Sequence, residues 1–156
     1  MRSVPLILTG IGLLLLAGGG VAIVVSNIRG IRNNNPTNLR HSGDKWQGMS
    51  PTQTDSGFVQ FETPFYGIRA GVKNIKSYMG RGLNTVTKII STWAPASENN
   101  TSAYINAVCK ALNVSPNTPL SNDTSTLLAL VSAIIKHECG VNPYSNSLIV
   151  SAIEAA

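Results

Sequence analysis

Glu138 lies where the surrounding sequence can turn a carboxyl group into a general acid. At helical spacing it continues an apolar face formed by Leu127, Val131 and Ile134. Gly140 and Pro143 follow and end the predicted helix. Burial and the negative end of the helix dipole both disfavour the ionised carboxylate, so its pKa should rise toward neutral pH, as acid catalysis requires. The alternative is an ordinary glutamate at a frayed helix end.

Residues 138–144 read Glu-Cys-Gly-Val-Asn-Pro-Tyr and resemble the Glu-Ser-Gly-x-Asn-Pro segment of lysozyme-like lytic transglycosylases. In that family the glutamate is the catalytic acid/base at the end of a core helix, so the resemblance implies this role for Glu138. Residues 98–105 are similar to the family's Glu-Thr-x-x-Tyr-Val helix, whose tyrosine lines the cleft. This implies a cleft position for Tyr104, although a core tyrosine fits the same pattern. Cys139 replaces the family's serine, and this departure favours a fold without activity.

An earlier block of the chain resembles bacterial glucosaminidase domains, which are also lysozyme-like. Three short motifs follow in the same order as in those domains: Asn38-Leu39-Arg40, Trp46-Gln47-Gly48 and Phe58-Val59-Gln60-Phe61. In those families the helix that carries the glutamate precedes the hairpin, whereas here the hairpin pattern comes first. A circular permutation would reconcile the two orders, because the termini of compact domains often lie close together.

A third resemblance starts at residues 30–36, which read Gly-Ile-Arg-Asn-Asn-Asn-Pro. From this motif to residue 153, the chain resembles a family of bacteriophage virion proteins that begin with the same sequence and are described as structural proteins. This resemblance implies a place in a phage particle. Taken together, the three resemblances imply a lysozyme-like domain that a virion carries.

Two polar residues between these motifs are further candidates for the site. Asp55 precedes Ser56-Gly57 and would be the nucleophile or stabiliser of a two-carboxylate glycosidase, or else a turn-forming aspartate. Lytic transglycosylases need a single carboxyl group, so we expect Glu138 to act alone as the acid. The predicted substrate-binding residues are then Tyr104, Gln60 and Asp55.

Neither a metal nor a cofactor is expected. His137-Glu138 would suit a zinc protease only with a second histidine at the position of Val141. Cys109 and Cys139 fit two buried free thiols, or a disulfide in an oxidising space. The net charge of +5 favours an anionic partner such as cell wall or lipid head groups. No run of Lys and Arg points to nucleic acid, so none is expected as a partner.

The remaining chain supplies the elements that must position these residues. Residues 38–62 predict a small β hairpin, and Thr63-Pro64 begins a helix. Further helices are predicted from Asn84, from Asn100 or Thr101, from Asp123 or Thr124, and over residues 148–156. The predicted fold class is mainly α with a small β hairpin: a lysozyme-like (α+β) domain over residues 27–156. Trp46 and Trp93 are expected to belong to this fold and not to bind sugar directly.

The N-terminal part of the chain has a different composition. Residues 4–25 include no charged residue, and this length is enough for a helix to span a bilayer. We therefore predict a transmembrane anchor at residues 1–26 and a single-pass protein of the internal membrane of a virion. A cleaved signal peptide is the alternative, but the apolar run is longer than a signal core and no clear cleavage site follows.

These observations predict a membrane-anchored, virion-associated peptidoglycan hydrolase of the lytic transglycosylase or muramidase type that aids phage entry. Its partners would be peptidoglycan, the lipid bilayer of the virion or of the host inner membrane, and capsid proteins. The alternative is a non-catalytic minor structural protein that links the virion membrane to the capsid. Cleavage of purified peptidoglycan would separate the two.

Overall fold

The computed structural model describes residues 25–97 and 100–156, and this part of the chain is mainly helical. Its helices are α1 (Arg29–Arg32), α2 (Pro64–Gly80), α3 (Val86–Trp93), α4 (Thr101–Leu112), α5 (Thr124–Cys139) and α6 (Asn146–Glu154). Asn100 and Asp123 cap α4 and α5 by accepting backbone N–H groups of the first turn. Thr85 caps α3, one residue later than the sequence predicts. The helix starts are predictable because capping is a local signal.

Helix α5 lies at the centre of the described part of the fold. It contacts α1, α2, α4 and α6. Its apolar side chains are almost completely buried: Leu127, Leu130, Val131, Ile134 and Ile135. Burial of one such aliphatic side chain stabilises a fold by about 1.5–3 kcal/mol relative to exposure. This packing fixes the C-terminal end of α5, which carries Glu138, against the neighbouring helices.

Helix α2 presents two glycines to a loop that lies directly on its surface. A Cβ atom at Gly67 would overlap the backbone oxygen of Asn34, and one at Gly71 would lie 2.6 Å from Thr37 Oγ1. Residues four apart share one helix face, so the glycines form a groove that holds residues 34–37. The groove therefore fixes the loop that leads into Asn38.

Gly67→Ala is expected to lower the free energy of unfolding by about 1–3 kcal/mol, because the new methyl group meets a backbone atom that has no rotamer to change. Gly80→Ala in the same helix is the matched control, since no heavy atom lies within 4 Å of its Cβ position. Alanine also favours a helix over glycine, so the control should melt at or above the wild-type temperature. Thermal unfolding followed by circular dichroism measures both. Equal melting temperatures for the two variants would contradict the close packing.

Residues 38–62, all within the described part, form no strand, so the predicted β hairpin is wrong. Isolated bridges join Arg40 to Phe58 and Met49 to Phe61, and no ladder extends them. A hairpin needs consecutive pairing of backbone groups on two strands. Here many of those groups are bound by side chains instead.

Asparagine side chains make hydrogen bonds to backbone groups of residues 38–62, where the paired strands of a hairpin are absent. Asn35 is fully buried, and its Nδ2 donates to the backbone oxygens of Leu39 at 2.9 Å and Val59 at 2.8 Å. Its Oδ1 accepts from the backbone nitrogen of Leu39 at 2.9 Å. Asn34 Nδ2 donates to the backbone oxygen of Phe61 at 3.0 Å. The asparagine run thus holds the irregular segment in place, because buried backbone groups require partners.

The predicted anchor at residues 1–26 falls almost entirely on residues that the structure does not describe. Across residues 25–97 and 100–156, none of the helices has the length and apolarity to cross a membrane. The predicted fold class, which combined a transmembrane helix with a β hairpin, is therefore corrected to a mainly helical fold. The single-pass membrane localisation is corrected with it, since no described helix supports it.

Candidate functional site

Glu138 lies in the last turn of α5. Gly140 follows as the C-cap with a left-handed φ of +73°, a conformation that glycine adopts without strain. Tyr104 Oη from α4 donates to Glu138 Oε1 at 2.9 Å. Asn38 Nδ2 donates to Oε2 at 2.8 Å from 100 residues earlier in the sequence. One carboxyl group therefore joins α4, α5 and the loop before residue 39.

Opposing electrostatic effects act on Glu138. Burial raises the pKa of its carboxyl, whereas hydrogen bonds from Asn38 and Tyr104, the charge of Arg40 and a hydrogen bond from Trp93 lower it. Burial is the largest effect, so the pKa lies above its ordinary value, the direction that a general acid needs. Burial, followed by the charge of Glu138, also raises the pKa of Tyr104, and its phenol stays protonated as a donor.

Glu138 forms part of the wall of a pocket of about 360 Å³, here named the carboxyl pocket. Its aromatic lining consists of Trp46, Phe58, Tyr78 and Trp93. Its polar lining consists of Asn38, Arg40, Ser42, Asp44, Asn74 and Glu138. A concave site with aromatic walls and a few convergent polar groups is typical of small-ligand binding. Aromatic faces of this kind stack on the apolar faces of sugar rings.

Each of the two tryptophans packs against the fold and is also partly exposed. Trp93 packs edge-on against Tyr78, with ring centroids 6.2 Å apart. Trp46 and Trp93 are each half-buried, and each lines the carboxyl pocket. The expectation that they serve the fold alone misses this position, because sequence spacing reports burial but not which face remains open.

Asp55 and Gln60 are absent from the lining of the carboxyl pocket and belong to a separate polar network. Arg29 donates to the two oxygens of Asp55 at 2.7 and 2.5 Å, and Asn33 Nδ2 donates to it at 2.8 Å. Gln60 Oε1 accepts from the backbone nitrogens of Thr54 at 2.5 Å and Asp55 at 3.1 Å. These contacts close the turn around residues 53–60. Asp55 and Gln60 therefore line a second pocket together, apart from Glu138, and their substrate contacts stay a prediction.

Asp55→Asn is expected to make the free energy of unfolding depend less on pH in the acidic range. Hydrogen bonds from Arg29, then from Asn33 and two backbone N–H groups, hold the pKa of Asp55 well below its usual range. A carboxyl group with a lowered folded pKa stabilises the fold above its unfolded pKa, and this stabilisation is lost as pH falls toward the folded value. The variant should melt below the wild type at pH 7, and the gap should narrow below about pH 4.

Melting temperatures at pH 7 and pH 3 measure this effect. Asp44→Asn makes the same chemical change at an exposed aspartate and serves as the control. A gap between wild type and Asp55→Asn that is equal at both pH values would contradict the stabilising role of the ionised Asp55.

Comparison with known proteins gives one relative over most of the chain. Protein P5 of Pseudoalteromonas phage PM2 is 38% identical over 143 residues, which cover 86% of this chain and 88% of Protein P5. The chain belongs to the Protein P5 family. No protein-family model matches it. The relative supports the predicted bacteriophage virion protein, but no comparison supports the lysozyme-like resemblance or a hydrolase activity.

In this member of the Protein P5 family, sequence reasoning predicts Glu138 and Tyr104 but not Asn38 or Arg40. Tyr104 contacts Glu138, but its side chain is buried and absent from the pocket lining, so its contact with substrate stays a prediction. Asn38 and Arg40 flank the buried Leu39, so both reach the pocket from the loop. One signal was available: asparagine tolerates a left-handed φ, and Asn38 has φ of +53°. Within the described ranges, no group of His, Cys, Asp and Glu could hold a metal ion.

Cys139 has a structural position beside the site. Its Sγ donates to the backbone oxygen of Pro36 at 3.4 Å. Burial, followed by the charge of Glu138, raises the pKa of this thiol to about 12, so it stays neutral. Cys109 is also buried, and neither thiol is in a disulfide. A serine hydroxyl could donate the same hydrogen bond, so the replacement of serine by cysteine keeps a donor in place.

Proposed function

We propose that this chain is a phage virion protein that cleaves a glycosidic bond of peptidoglycan, with Glu138 as the general acid. One observation carries the proposal: a partly buried carboxyl group with a raised pKa opens onto a pocket with aromatic walls. A carboxyl group that stays protonated near its operating pH is suited to protonate a leaving oxygen. The virion role is supported by membership of the Protein P5 family.

The proposed reaction begins when Glu138 transfers its proton to the glycosidic oxygen and the bond to the sugar's C1 carbon breaks. The carboxylate that remains is stabilised by the hydrogen bonds from Tyr104 and Asn38 and by the charge of Arg40. A hydroxyl group of the same sugar then attacks C1 and returns its proton to Glu138. The product is an anhydro-sugar, and no second carboxylate is required.

The rest of the carboxyl pocket suits a glycan of acidic amino sugars. Trp46 and Trp93 offer aromatic faces for the sugar ring, and Asn74 offers an amide for its acetamido or hydroxyl groups. Arg40 contributes a positive charge at the pocket wall, where it would attract carboxylates of peptidoglycan. Peptidoglycan is therefore the proposed substrate.

The test is incubation of the purified full-length chain with purified peptidoglycan, followed by liquid chromatography and mass spectrometry of the soluble products. Muropeptides with anhydro ends are expected. Reducing ends would instead indicate that water attacks C1, and Asp44 would then be the candidate second carboxylate at the pocket. Glu62→Gln, at an exposed glutamate, should release products at the wild-type rate. Folded wild-type protein that releases no muropeptide would refute the proposed function.

A second candidate is a non-catalytic structural protein of the virion that binds a capsid protein. It is favoured by the fact that both oxygens of Glu138 already accept hydrogen bonds within the chain. In this role the carboxyl group stabilises the packing of α4, α5 and the loop that carries Asn38. This candidate expects no muropeptide release from either wild type or Glu138→Gln, and a lower melting temperature for the variant.

A further inference from the structure

Only one of the two polar atoms of the Asn38 side-chain amide makes a hydrogen bond, and its partner is Glu138. Nδ2 donates to Glu138 Oε2 at 2.8 Å. Oδ1 is buried and has no hydrogen-bond partner among the described residues. A carboxylate can only accept, and therefore it selects the amide orientation with Nδ2 toward it. A protonated carboxyl keeps one acceptor oxygen. While Tyr104 donates to Oε1, the proton lies on Oε2, which faces Asn38, and there it would select the opposite orientation of the amide.

We propose that Asn38 is a positioning residue whose side-chain amide turns with the protonation state of Glu138. Nδ2 donates to the ionised carboxylate, and after rotation of the amide Oδ1 accepts the proton of the neutral acid. The inference rests on the proposed glycosidase function for its purpose, because that reaction takes Glu138 through both states. Asn38 would thus orient the acid before proton transfer and stabilise the anion after it.

The surroundings of Asn38 permit this rotation. Oδ1 has no hydrogen bond to lose when the amide turns. It lies over Gly30, where a Cβ atom would come within 2.9 Å of it, so the missing side chain leaves the space that the turning amide uses. Tyr104 and Asn38 would each give up their present bond to the carboxyl before accepting its proton, but of the two only Asn38 has an oxygen that makes no hydrogen bond at present. Asn38 is therefore the partner that can follow the proton.

The groups that face Glu138 determine how it titrates. Arg40 contributes a positive charge, and Asp44 places a carboxylate at the same pocket. Tyr104 stays protonated, and its ring stacks on His137 with centroids 3.6 Å apart. The thiol of Cys139, the next residue in the chain, also stays neutral over the acidic and neutral range.

The test is nuclear magnetic resonance of the full-length chain, with the side-chain carboxyl carbons of glutamate labelled. The signal of Glu138 is identified by its loss in Glu138→Gln. Below the Glu138 midpoint, a nuclear Overhauser effect should appear between the Asn38 side-chain amide protons and the Gly30 α protons. In Glu138→Gln, the amide oxygen accepts from Tyr104 and the amide nitrogen then faces Asn38 as a donor, so this effect should appear at every pH. An unchanged pattern across the titration would overturn the proposal.

A second variant removes the amide. Asn38→Gly keeps the left-handed backbone without strain and removes the partner of Glu138 in both protonation states. It should lower the acid dissociation constant of Glu138 by roughly threefold, because the lost hydrogen bond to the anion is stronger than the lost one to the neutral acid. Asn113→Gly is the control, because it makes the same change at an exposed residue with the same φ of +53°. It should leave the titration of Glu138 unchanged, and equal titrations in both variants would contradict the role of Asn38.

These measurements need no substrate. A turning amide in a protein that cleaves no peptidoglycan would therefore refute the proposed function and keep the role of Asn38. Cleavage of peptidoglycan by a protein in which the Asn38 amide does not turn would refute the role of Asn38 and keep the proposed function.

Discussion

Glu138→Gln is expected to lower the rate of peptidoglycan cleavage by roughly 10²–10⁴-fold. Glutamine keeps the size and planar shape of the side chain but has no transferable proton. Tyr104 and Asn38 hold the side chain of Glu138 by hydrogen bonds at 2.9 and 2.8 Å, so the variant should not displace it. The measurement is the release of soluble muropeptides at equal concentrations of folded protein.

The same variant should have nearly the wild-type stability. The raised pKa of Glu138 fixes how the difference in stability between wild type and variant changes with pH. The folded pKa of Glu138 is raised, so its protonated form stabilises the fold at pH values below the unfolded pKa. This contribution is lost as pH rises through the folded pKa. The wild type should therefore lose stability over that window relative to Glu138→Gln, whose side chain does not titrate. Thermal unfolding at several pH values measures the difference.

Glu62→Gln is the matched control for both measurements, because it makes the same change at an exposed glutamate away from the pocket lining. It should cleave and unfold like the wild type. An active wild type together with an equally active Glu138→Gln would exclude Glu138 as the acid. A large loss of stability in Glu138→Gln, with no activity in the wild type, would instead favour the structural role.

Local sequence signals predict much of the described fold. Glu138 could be placed at the end of α5 because helical spacing, the cap at Asp123 and the C-cap at Gly140 all act within a few residues. The hairpin could not be excluded in the same way. The aromatic and β-branched pattern of residues 58–61 is typical of a strand, but here the side-chain amides of Asn34 and Asn35 donate to the carbonyl oxygens of Phe61 and Val59.

The residues of the candidate site could likewise be predicted only in part from the sequence. The resemblance places Tyr104 near Glu138, and the two are hydrogen-bonded. Asn38 and Arg40 reach the pocket from a distant loop, and no periodicity joins residues that are 100 positions apart. Asp55 followed by a glycine fits a turn as well as a nucleophile, and its partner Arg29 could not be inferred from spacing. Tertiary contacts, which single-sequence patterns do not encode, decide these cases.

Asn35→Ala is expected to reduce the free energy of unfolding by roughly 3–5 kcal/mol. The side chain is fully buried and makes three hydrogen bonds to backbone groups of Leu39 and Val59. Alanine would leave the buried carbonyl oxygen of Val59 and the N–H group of Leu39 without these partners, and each such loss costs about 1–3 kcal/mol. The carbonyl oxygen of Leu39 would keep the backbone N–H of Val59 at 3.0 Å. Against a typical total of about 5–15 kcal/mol for a domain, this is a large fraction of the stability.

Urea unfolding of wild type, Asn35→Ala and Asn106→Ala measures the effect, with Asn106 as an exposed asparagine on α4. The midpoint should fall for Asn35→Ala with an unchanged slope, and the control should stay within about 0.5 kcal/mol of wild type. The loop that carries Asn38 begins at Asn35, so the weaker fold should also loosen the hydrogen bond between Asn38 and Glu138. If Asn35→Ala unfolds at the midpoint of Asn106→Ala, the asparagine run is not what holds residues 38–62 in place of a sheet.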